Sequence, residues 1–305
     1  MVSSQYKKSW LATCFIARML IVSEIGDRIP TIQEYVNLLD ASRGVVQNAL
    51  QTLQEEGAVD FEKRGSKGTV ITNINIDILF RLADINFITA SMPIPGNYGL
   101  AGLASGISYC MNSCPVPFNF AFVQGSGNRI DALKRGVYDF IVVSQPTANH
   151  FVAKYPDLEV AAILKKCRYA EPYVFCSRKE TTTEPQNGMT MAVDPKSTDQ
   201  FKITSQLCQN KDIKIITCTY TTSKALFLEG KVDCLVYHKE PWTEERGIWA
   251  HPLKSFKESD VRTPVCLTAK TNQSMGKILL NYINESTVSD IQNQVTSKKM
   301  EPQFF

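Results

Sequence analysis

The chain has 305 residues, 44% of them hydrophobic and 21% charged, with a formal net charge of +3. It is long enough for two domains or three, and its composition excludes collagen-like, coiled-coil and wholly disordered chains. The near balance of charge also excludes a chain-wide basic surface, so any contact with a polyanion has to be local.

Cysteine usage and the N-terminal segment indicate the compartment. The nine cysteines are an odd number, and Met1 to Trp10 lacks the basic, apolar and small-residue zones of a signal peptide. The uncharged stretch between Asp84 and Arg129 is interrupted by prolines and glycines before it reaches the roughly 20 apolar residues of a spanning helix. We therefore expect a cytoplasmic protein with reduced thiols and no membrane partner.

Two helices are predicted near the start of the chain. Apolar residues from Leu11 to Ile25 recur at the spacing of one helical face. Thr31 and Glu34 then form a capping box, in which the Thr oxygen accepts a hydrogen bond from a helix amide and the Glu reaches back to the cap. A second helix is therefore expected over 32–39.

A third helix is predicted to begin after Ser42, a good N-cap, and to end at Gly57. Because the preceding turn is tight, the second and third helices form a helix-turn-helix. The inner stripe of the third helix is Val46, Ala49, Leu50 and Leu53, and the outer face is Arg43, Gly44, Gln47, Asn48 and Gln51. Arg, Asn and Gln carry the forked donors and acceptors that match guanine and adenine edges, so this outer face suits the reading of bases in a major groove.

A β-hairpin is predicted after the third helix. Two short alternating segments, 58–62 and 69–71, flank a basic, glycine-containing tip at 63–68. This hairpin would be a wing. Residues 1–72 carry eight basic and eight acidic residues, so the affinity for non-specific DNA should be modest. A domain that has become a dimerisation or protein-contact module remains the alternative.

Residues 10–72 resemble the winged helix-turn-helix of GntR-type bacterial regulators. The resemblance is carried by Ile29-Pro30-Thr31, Ser42-Arg43, Val46, Ala49-Leu50, Leu53, Glu56-Gly57 and Gly68-Thr69-Val70. It implies that the third helix enters the major groove of double-stranded DNA and that the wing cations contact phosphates or the minor groove. Gln47 and Ser66 depart from the family pattern, which usually has Arg and Gly at these positions. These departures affect which operator sequence the protein prefers. The DNA-binding residues predicted are Thr31, Ser42, Arg43, Gln47, Asn48, Gln51, Lys63, Arg64 and Lys67.

From residue 86 onward strands alternate with helices. Strands are predicted at 86–91, 118–123 and 138–143 with helices at 98–109 and 128–135, and the scheme recurs with strands at 189–193, 213–218 and 232–237 and helices at 197–208 and 222–229. Such βα units indicate parallel sheets. Two α/β lobes, about 86–172 with 250–270 and about 173–240, would leave a ligand cleft at the carboxyl ends of their strands. Helices are also expected within 275–295.

The repeat is clearest where a helix ends in glycine and Asp opens an apolar strand. In this internal repeat, Leu133, Gly136, Asp139 and Val142 align with Phe227, Gly230, Asp233 and Val236, in that order. This half resembles the type 2 periplasmic-binding-protein fold used as an effector domain in bacterial regulators, and the whole chain resembles the YhfZ-type regulators. The predicted fold class is α/β: an N-terminal winged helix-turn-helix (1–75) plus a two-lobed periplasmic-binding-protein-like (type 2) α/β domain (76–305).

The cleft loops are expected to hold a small polar, anionic effector. Glycines at 99, 102 and 106 suit either an amide floor for a ligand or tight helix-on-sheet packing. Ser197 and Gln200 predict a second capping box whose helix amides could take an anion. The effector-binding residues predicted are Ser91, Pro95, Gly96, Asn97, Tyr98, Gln124, Gly125, Ser126, Ser144, Gln145, Asp194, Ser197, Thr198, Tyr220, Thr221, Tyr237, His238 and Glu240.

Catalytic and metal-binding patterns are weak. Cys110 and Cys114 lack zinc-site spacing, and no phosphate loop, nucleophile elbow or HExxH is present. His238, beside Glu240, is either a catalytic base or a neutral hydrogen-bonding histidine. We expect a transcriptional regulator without cofactor, metal or catalytic residues, acting as a homodimer on a palindromic operator. The rivals are an enzyme on the same two-lobed fold and a ligand-sensing adaptor that binds protein.

Overall fold

The computed structural model describes residues 4–253, 262–272 and 274–304, with side chains from residue 8 onward. The helices are α1 (Ser4–Leu20), α2 (Ile32–Leu39), α3 (Arg43–Glu55), α4 (Ile76–Leu82), α5 (Tyr98–Met111), α6 (Ser126–Lys134), α7 (Gln145–Lys154), α8 (Thr198–Leu207), α9 (Tyr220–Leu228), α10 (Met275–Tyr282) and α11 (Glu285–Thr296). The strands are β1 (Val59–Lys63), β2 (Thr69–Ile74), β3 (Ile88–Met92), β4 (Phe118–Phe122), β5 (Phe140–Ser144), β6 (Leu158–Ile163), β7 (Tyr173–Ser177), β8 (Thr190–Val193), β9 (Lys214–Thr217), β10 (Cys234–His238), β11 (Trp249–Pro252) and β12 (Pro264–Ala269).

The chain forms two compact units. The first comprises the chain up to Ile88 together with Asn112–Phe118, and the second comprises Thr89–Met111 and the chain from Asn119 onward. Helix α4 belongs to the first unit because it packs on α1, and Arg18 Nε donates to the carbonyl of Ala83 at 2.9 Å. The expected boundary after residue 75 therefore precedes a helix that packs with the N-terminal elements.

The first unit is a winged helix-turn-helix. The backbone amide of Glu34 donates to Thr31 Oγ1 at 3.3 Å, and the amide of Thr31 donates to Glu34 Oε2 at 2.6 Å, so the predicted capping box is confirmed. The predicted inner stripe of α3 is buried, and Gly57 follows the helix at φ 72°. Strands β1 and β2 pair antiparallel, and Arg28 bridges to Val70 on the other side of β2.

The second unit contains two five-stranded sheets. The sheet of lobe one has the order β4-β3-β5-β12-β6, and the sheet of lobe two has the order β11-β7-β10-β8-β9. Both are mixed, which corrects the parallel sheets expected from the sequence: β12 runs antiparallel to β5 and β6, and β7 runs antiparallel to β10 and β11. Antiparallel neighbours need no helical crossover, and a pattern of βα units does not report them.

Strand β11 corrects the lobe assignment of residues 250–270. It pairs with β7 and lies in lobe two, whereas β12 lies in lobe one. Helix α7 and strand β6 were absent from the sequence prediction. Because α7 begins directly after β5, Ser144 is its N-cap and Gln145 its first residue, and neither lies in an open loop.

Helix α5 packs closely on α11. A Cβ built at Gly106 would lie 2.7 Å from the carbonyl oxygen of Val288, and one at Gly102 would lie 2.9 Å from Gln292 Cα. The Gln292 side chain donates to the carbonyls of Gly99 and Arg168 and accepts from the amide of Arg168. The glycines of α5 therefore permit a helix–helix approach, which differs from the helix-on-sheet packing considered above.

In the part of the chain with a described structure, no helix is both long and apolar enough to cross a bilayer. The interrupted, uncharged stretch after Asp84 supplies β3, α5 and β4.

Gly106→Ala should lower the free energy of unfolding by about 1–3 kcal/mol, because overpacking against α11 outweighs the gain of up to about 1 kcal/mol in helix propensity. Gly276→Ala on α10 is the control, since its Cβ would meet its nearest neighbour at an ordinary 3.7 Å. Urea denaturation of both variants measures the difference. Equal stability of the two variants would contradict the packing argument.

Candidate functional sites

The outer face of α3 is exposed. Arg43, Gln47, Asn48 and Gln51 all lie at the surface, opposite the buried stripe. Ser42 Oγ accepts from the amide of Val45 at 3.4 Å and so caps the helix. The side-chain Nε2 of Gln51 donates to Glu55 Oε1 at 2.6 Å, so one of the predicted base-reading groups already has a hydrogen-bond partner.

The wing presents its three cations to solvent. Lys63, Arg64 and Lys67 are exposed, and Arg64 pairs with Glu62 at 2.7 Å. An exposed ion pair of this kind contributes at most about 1 kcal/mol, so Arg64 can exchange Glu62 for another anion. Thr31 is exposed as well, with its hydroxyl used in the capping box. The structure thus leaves all nine predicted DNA-binding residues at the surface of the first unit.

A cavity of about 300 Å³ lies between the lobes of the second unit. It is formed by the segments that follow strands of both sheets, where open α/β sheets bind ligands. The predicted residues that line it are Gly96, Asn97, Gln124, Gly125, Ser126, Ser197, Tyr220, Thr221, Tyr237, His238 and Glu240. Pro93, Ile94 and Asp199 belong to loops expected at the cleft but not to the predicted residue set. The other lining residues outside that set are Leu100, Arg129, Thr147, Tyr169, Ala170, Tyr173 and Lys224.

Several predicted residues lie outside this lining, and some of them support it. Asp194 accepts from the amides of Lys196 and Tyr220 at 2.8 and 3.0 Å, which orders the segments that begin α8 and α9. Thr198 Oγ1 accepts from Ser126 Oγ at 2.8 Å, and Ser144 caps α7. The remaining members of this group are Ser91, Pro95, Tyr98 and Gln145.

The prediction of a second capping box, formed by Ser197 and Gln200, is wrong. Ser197 is the N-cap of α8, but its side chain makes no capping hydrogen bond. The Gln200 side chain is fully buried and instead donates to the carbonyl of Val236 at 2.9 Å and accepts from the amide of Asp194 at 3.0 Å. The Gln200 side chain therefore hydrogen-bonds to tertiary partners and not, as the local sequence pattern predicted, to the helix N-cap.

Arg129 is a buried cation on the wall of the cavity. It is 2% exposed, and its Nη1 and Nη2 donate to the carbonyl of Val123 at 2.8 Å and to the Tyr169 hydroxyl at 3.0 Å. Within the described residues, its Nε is buried without a hydrogen-bond partner. A usable signal was present, since Arg129 is the first charged residue after the uncharged stretch.

Asp199 is a buried anion on the opposite lobe. Its carboxylate accepts from Ser144 Oγ and, at 2.9 Å, from Thr147 Oγ1, both of which belong to lobe one. Burial raises the pKa of the Asp199 carboxyl, because the charged form loses its hydration. The hydroxyl donors oppose this shift, and together these contacts join the lobes beside the cavity.

His238 is a neutral hydrogen-bonding histidine. Its Nδ1 lies 2.8 Å from the carbonyl oxygen of Glu171, so Nδ1 carries the proton, and its ring contacts Tyr173 with the centroids 3.9 Å apart and the planes tilted by 30°. Burial lowers the pKa of His238 to about 4. Glu240 pairs with Lys224 at 3.3 Å and accepts from Trp242 Nε1 at 2.8 Å. These contacts give His238 and Glu240 structural partners of their own.

Metal-binding geometry is also absent from the described residues, where no group of three His, Cys, Asp or Glu side chains could hold an ion. Cys110 and Cys114 are buried, and burial raises the pKa of both thiols. These properties are those of structural cysteines.

An exposed arginine-and-amide helix in a helix-turn-helix, followed by a two-lobed α/β domain with a ligand-sized cavity, defines a class of proteins: DNA-binding regulators with a periplasmic-binding-protein-like domain. Residues 76–304 match the YhfZ C-terminal domain, and residues 24–71 match a helix-turn-helix domain. The chain belongs to the YhfZ family.

Individual relatives agree with this assignment. The chain is 28% identical over 301 residues to the uncharacterized protein YhfZ of Escherichia coli (strain K12), and the alignment covers 98% of each chain. The crystal structure of YhfZ from Shigella flexneri matches with a TM-score of 0.62 at 25% identity, over 74% of this chain and 97% of that one. The alkanesulfonate-binding protein SsuA from Xanthomonas axonopodis pv. citri, bound to MOPS, shares the fold, with a TM-score of 0.52 at 12% identity, over 70% and 75% of the two chains.

The lowered pKa of His238 predicts an acid-dependent loss of stability. Between pH 6.5 and about 4 the unfolded chain binds a proton at this histidine and the folded chain does not, so stability should fall as the pH falls through this window. His238→Asn should flatten this part of the profile, measured by urea denaturation at each pH. His150→Asn, at an exposed histidine on α7, is the matched control. An unchanged slope in His238→Asn would contradict the assignment.

Proposed function

We propose that the protein is a cytoplasmic transcriptional regulator, with a DNA-binding domain at 1–75 and an effector-sensing domain at 76–305. It acts as a homodimer on a palindromic operator, because two-fold protein symmetry matches paired half-sites. A small polar metabolite with an anionic group binds in the cavity between the lobes and modulates operator affinity. The GntR-type resemblance supports the base-reading role of α3.

One observation supports an anionic effector above the others: Arg129 lies almost fully buried on the wall of the cavity, and its Nε has no hydrogen-bond partner among the described residues. A buried charge without a counter-charge is costly, and an interior guanidinium usually has an anion as partner. Carboxylates and phosphates fit the fork of the guanidinium through two parallel hydrogen bonds. A ligand anion at the cavity wall would therefore give the guanidinium a partner of opposite charge.

Coupling to DNA requires the ligand to favour one conformation of the protein. Contacts between the lobes offer such a conformation, because the amide of Gly127 on α6 donates to the carbonyl of Lys196 at 3.0 Å, and Asp199 bonds to Ser144 and Thr147. A ligand that prefers the joined lobes stabilises that state. The free energy by which the ligand favours the joined lobes also changes the affinity for DNA if only one lobe arrangement binds the operator well.

The enzyme rival needs an acid–base pair at His238 and Glu240, and their structural partners argue against this role. The adaptor hypothesis is distinguished from the regulator hypothesis by a direct test for sequence-specific DNA binding. Genomic SELEX with the purified full chain, with and without candidate metabolites, tests the proposal: enrichment of a two-fold symmetric site supports it, and selection of no sequence favours the adaptor.

Arg43→Ala should weaken binding to the selected operator by about 1–3 kcal/mol and relax specificity at one base pair per half-site, because a base contact is lost. Lys67→Ala should weaken binding to all sequences similarly and reduce the salt dependence, because it loses a phosphate contact. Mobility-shift titrations at several salt concentrations measure both effects. Lys214→Ala, which removes an exposed cation from β9, is the control. Arg43→Ala with the operator affinity of the unmodified chain would contradict the base-reading role.

A further inference from the structure

We propose that the effector is a zwitterion, with its anionic group bound by Arg129 and a protonated amine bound by Asp199. This inference rests on the proposed effector site and specifies the chemical class of its ligand. It narrows the effector from polar anions in general to compact molecules that carry a carboxylate, or a similar anion, and an ammonium group.

The charges on the cavity wall lead to this class. Two cations and two anions line it: Arg129, Lys224, Asp199 and Glu240. Lys224 and Glu240 pair with each other at 3.3 Å. Among the residues that the structure describes, neither Arg129 nor Asp199 belongs to an ion pair. Opposite charges that are not in direct contact therefore remain on the two sides of one cavity, and the positive charges of Lys202 and Arg129 act on the Asp199 carboxylate only at longer range.

The Asp199 carboxylate has room for another donor. An ionised carboxylate offers about four lone-pair sites, and the hydroxyls of Ser144 and Thr147 use two of them. At 9% exposure, Asp199 has little water to fill the rest. Burial raises the pKa of this carboxyl, and an ammonium at hydrogen-bond distance would favour its charged form.

Electrostatics distinguish a zwitterion from a simple dianion. A second negative charge near Asp199 would repel the buried carboxylate in a region where Coulomb interactions are screened less than in water. A ligand with an ammonium instead meets both unpaired charges with the opposite sign. The net charge of the four lining groups is zero, so a ligand of zero net charge leaves the cavity neutral.

The size and the walls of the cavity indicate a compact molecule. Its volume of about 300 Å³ lies at the lower end of the range of small-molecule sites. Four tyrosines line it: Tyr169, Tyr173, Tyr220 and Tyr237. Stacked rings, such as Tyr220 on Tyr237 at 4.2 Å between centroids, provide apolar walls for a short side chain between the charged groups.

The position of the two groups connects binding to lobe arrangement. Arg129 lies on α6 of lobe one, and Asp199 lies on α8 of lobe two. A zwitterion held by both side chains adds a link between the lobes to the existing bonds from Ser144 and Thr147 to Asp199. Such a ligand has a higher affinity for the joined lobes than for separated ones, which is the requirement for a shift in population.

The test uses the purified full chain and a matched series of small molecules. Thermal-shift assays and calorimetry compare each of the twenty protein amino acids with its N-acetyl and carboxamide derivatives, and with amine-free carboxylates and sulfonates. At least one amino acid should raise the Tm. Blocking its amine or its carboxylate should weaken binding at least about tenfold, since each removes a charge-assisted hydrogen bond of more than about 1.4 kcal/mol.

Variants then assign each half of the ligand. Asp199→Asn should reduce the affinity for the amino acid much more than that for its N-acetyl derivative, and Arg129→Gln should reduce the affinity for the amino acid much more than that for its carboxamide. Asp157→Asn, at an exposed carboxylate of lobe one, is the control and should bind like the unmodified chain. If a buried-site variant fails to fold, the ligand series on the unmodified chain still decides.

Equal binding of the N-acetyl derivative and the parent amino acid would overturn the zwitterion. If only amine-free anions bind and Arg129→Gln abolishes their binding, the zwitterion is wrong while the proposed anion-responsive regulator stands. If no amino acid, carboxylate or sulfonate raises the Tm or changes the affinity of the chain for the selected operator, the zwitterion and the proposed effector function fail together.

Discussion

The hydrogen bonds of the Asp199 carboxylate are the interaction on which the arrangement of the two α/β lobes depends. Asp199 lies on lobe two, accepts hydrogen bonds from two hydroxyls of lobe one, and forms part of the wall of the cavity between the lobes. A buried carboxylate is stable only with donors or a counter-charge around it. The arrangement of the lobes, the shape of the cavity and the charge that the cavity presents therefore have a common physical origin.

Arg129 complements this anion without pairing with it. Its hydrogen bonds to Val123 and Tyr169 hold the guanidinium at the wall, and no described residue supplies a hydrogen-bond partner for Nε. Gln292 of α11 bonds to both backbone groups of Arg168, the residue before Tyr169. The C-terminal helix thus positions the tyrosine that positions the arginine. Close packing of α11 on the glycines of α5 makes this support rigid, because a helix with side chains at these positions could not approach as closely.

Two similar sequence patterns had different outcomes, and the difference is instructive. The Thr31–Glu34 capping box formed as predicted because both side chains are exposed and have only local partners. The Ser197–Gln200 pattern failed because Gln200 is buried among long-range partners, including the carbonyl of Val236. A local motif predicts structure reliably where only water competes for the hydrogen-bonding groups of its side chains. It predicts poorly where buried groups elsewhere in the chain can bind the same side chains.

Local order was readable from the amino-acid sequence by itself. The helix-turn-helix, the exposed face of α3, the wing, most strands of both sheets and the loops at the ends of those strands follow from periodicity, caps and turns, all of which act between near neighbours in the chain. Only the tertiary structure decided the antiparallel partners β7, β11 and β12, and the charged groups of the cavity. Asp199 meets Thr147 across 52 positions and Arg129 meets Tyr169 across 40. No local pattern encodes such pairs, because a side chain acquires distant neighbours, and loses its water, only when the whole chain folds.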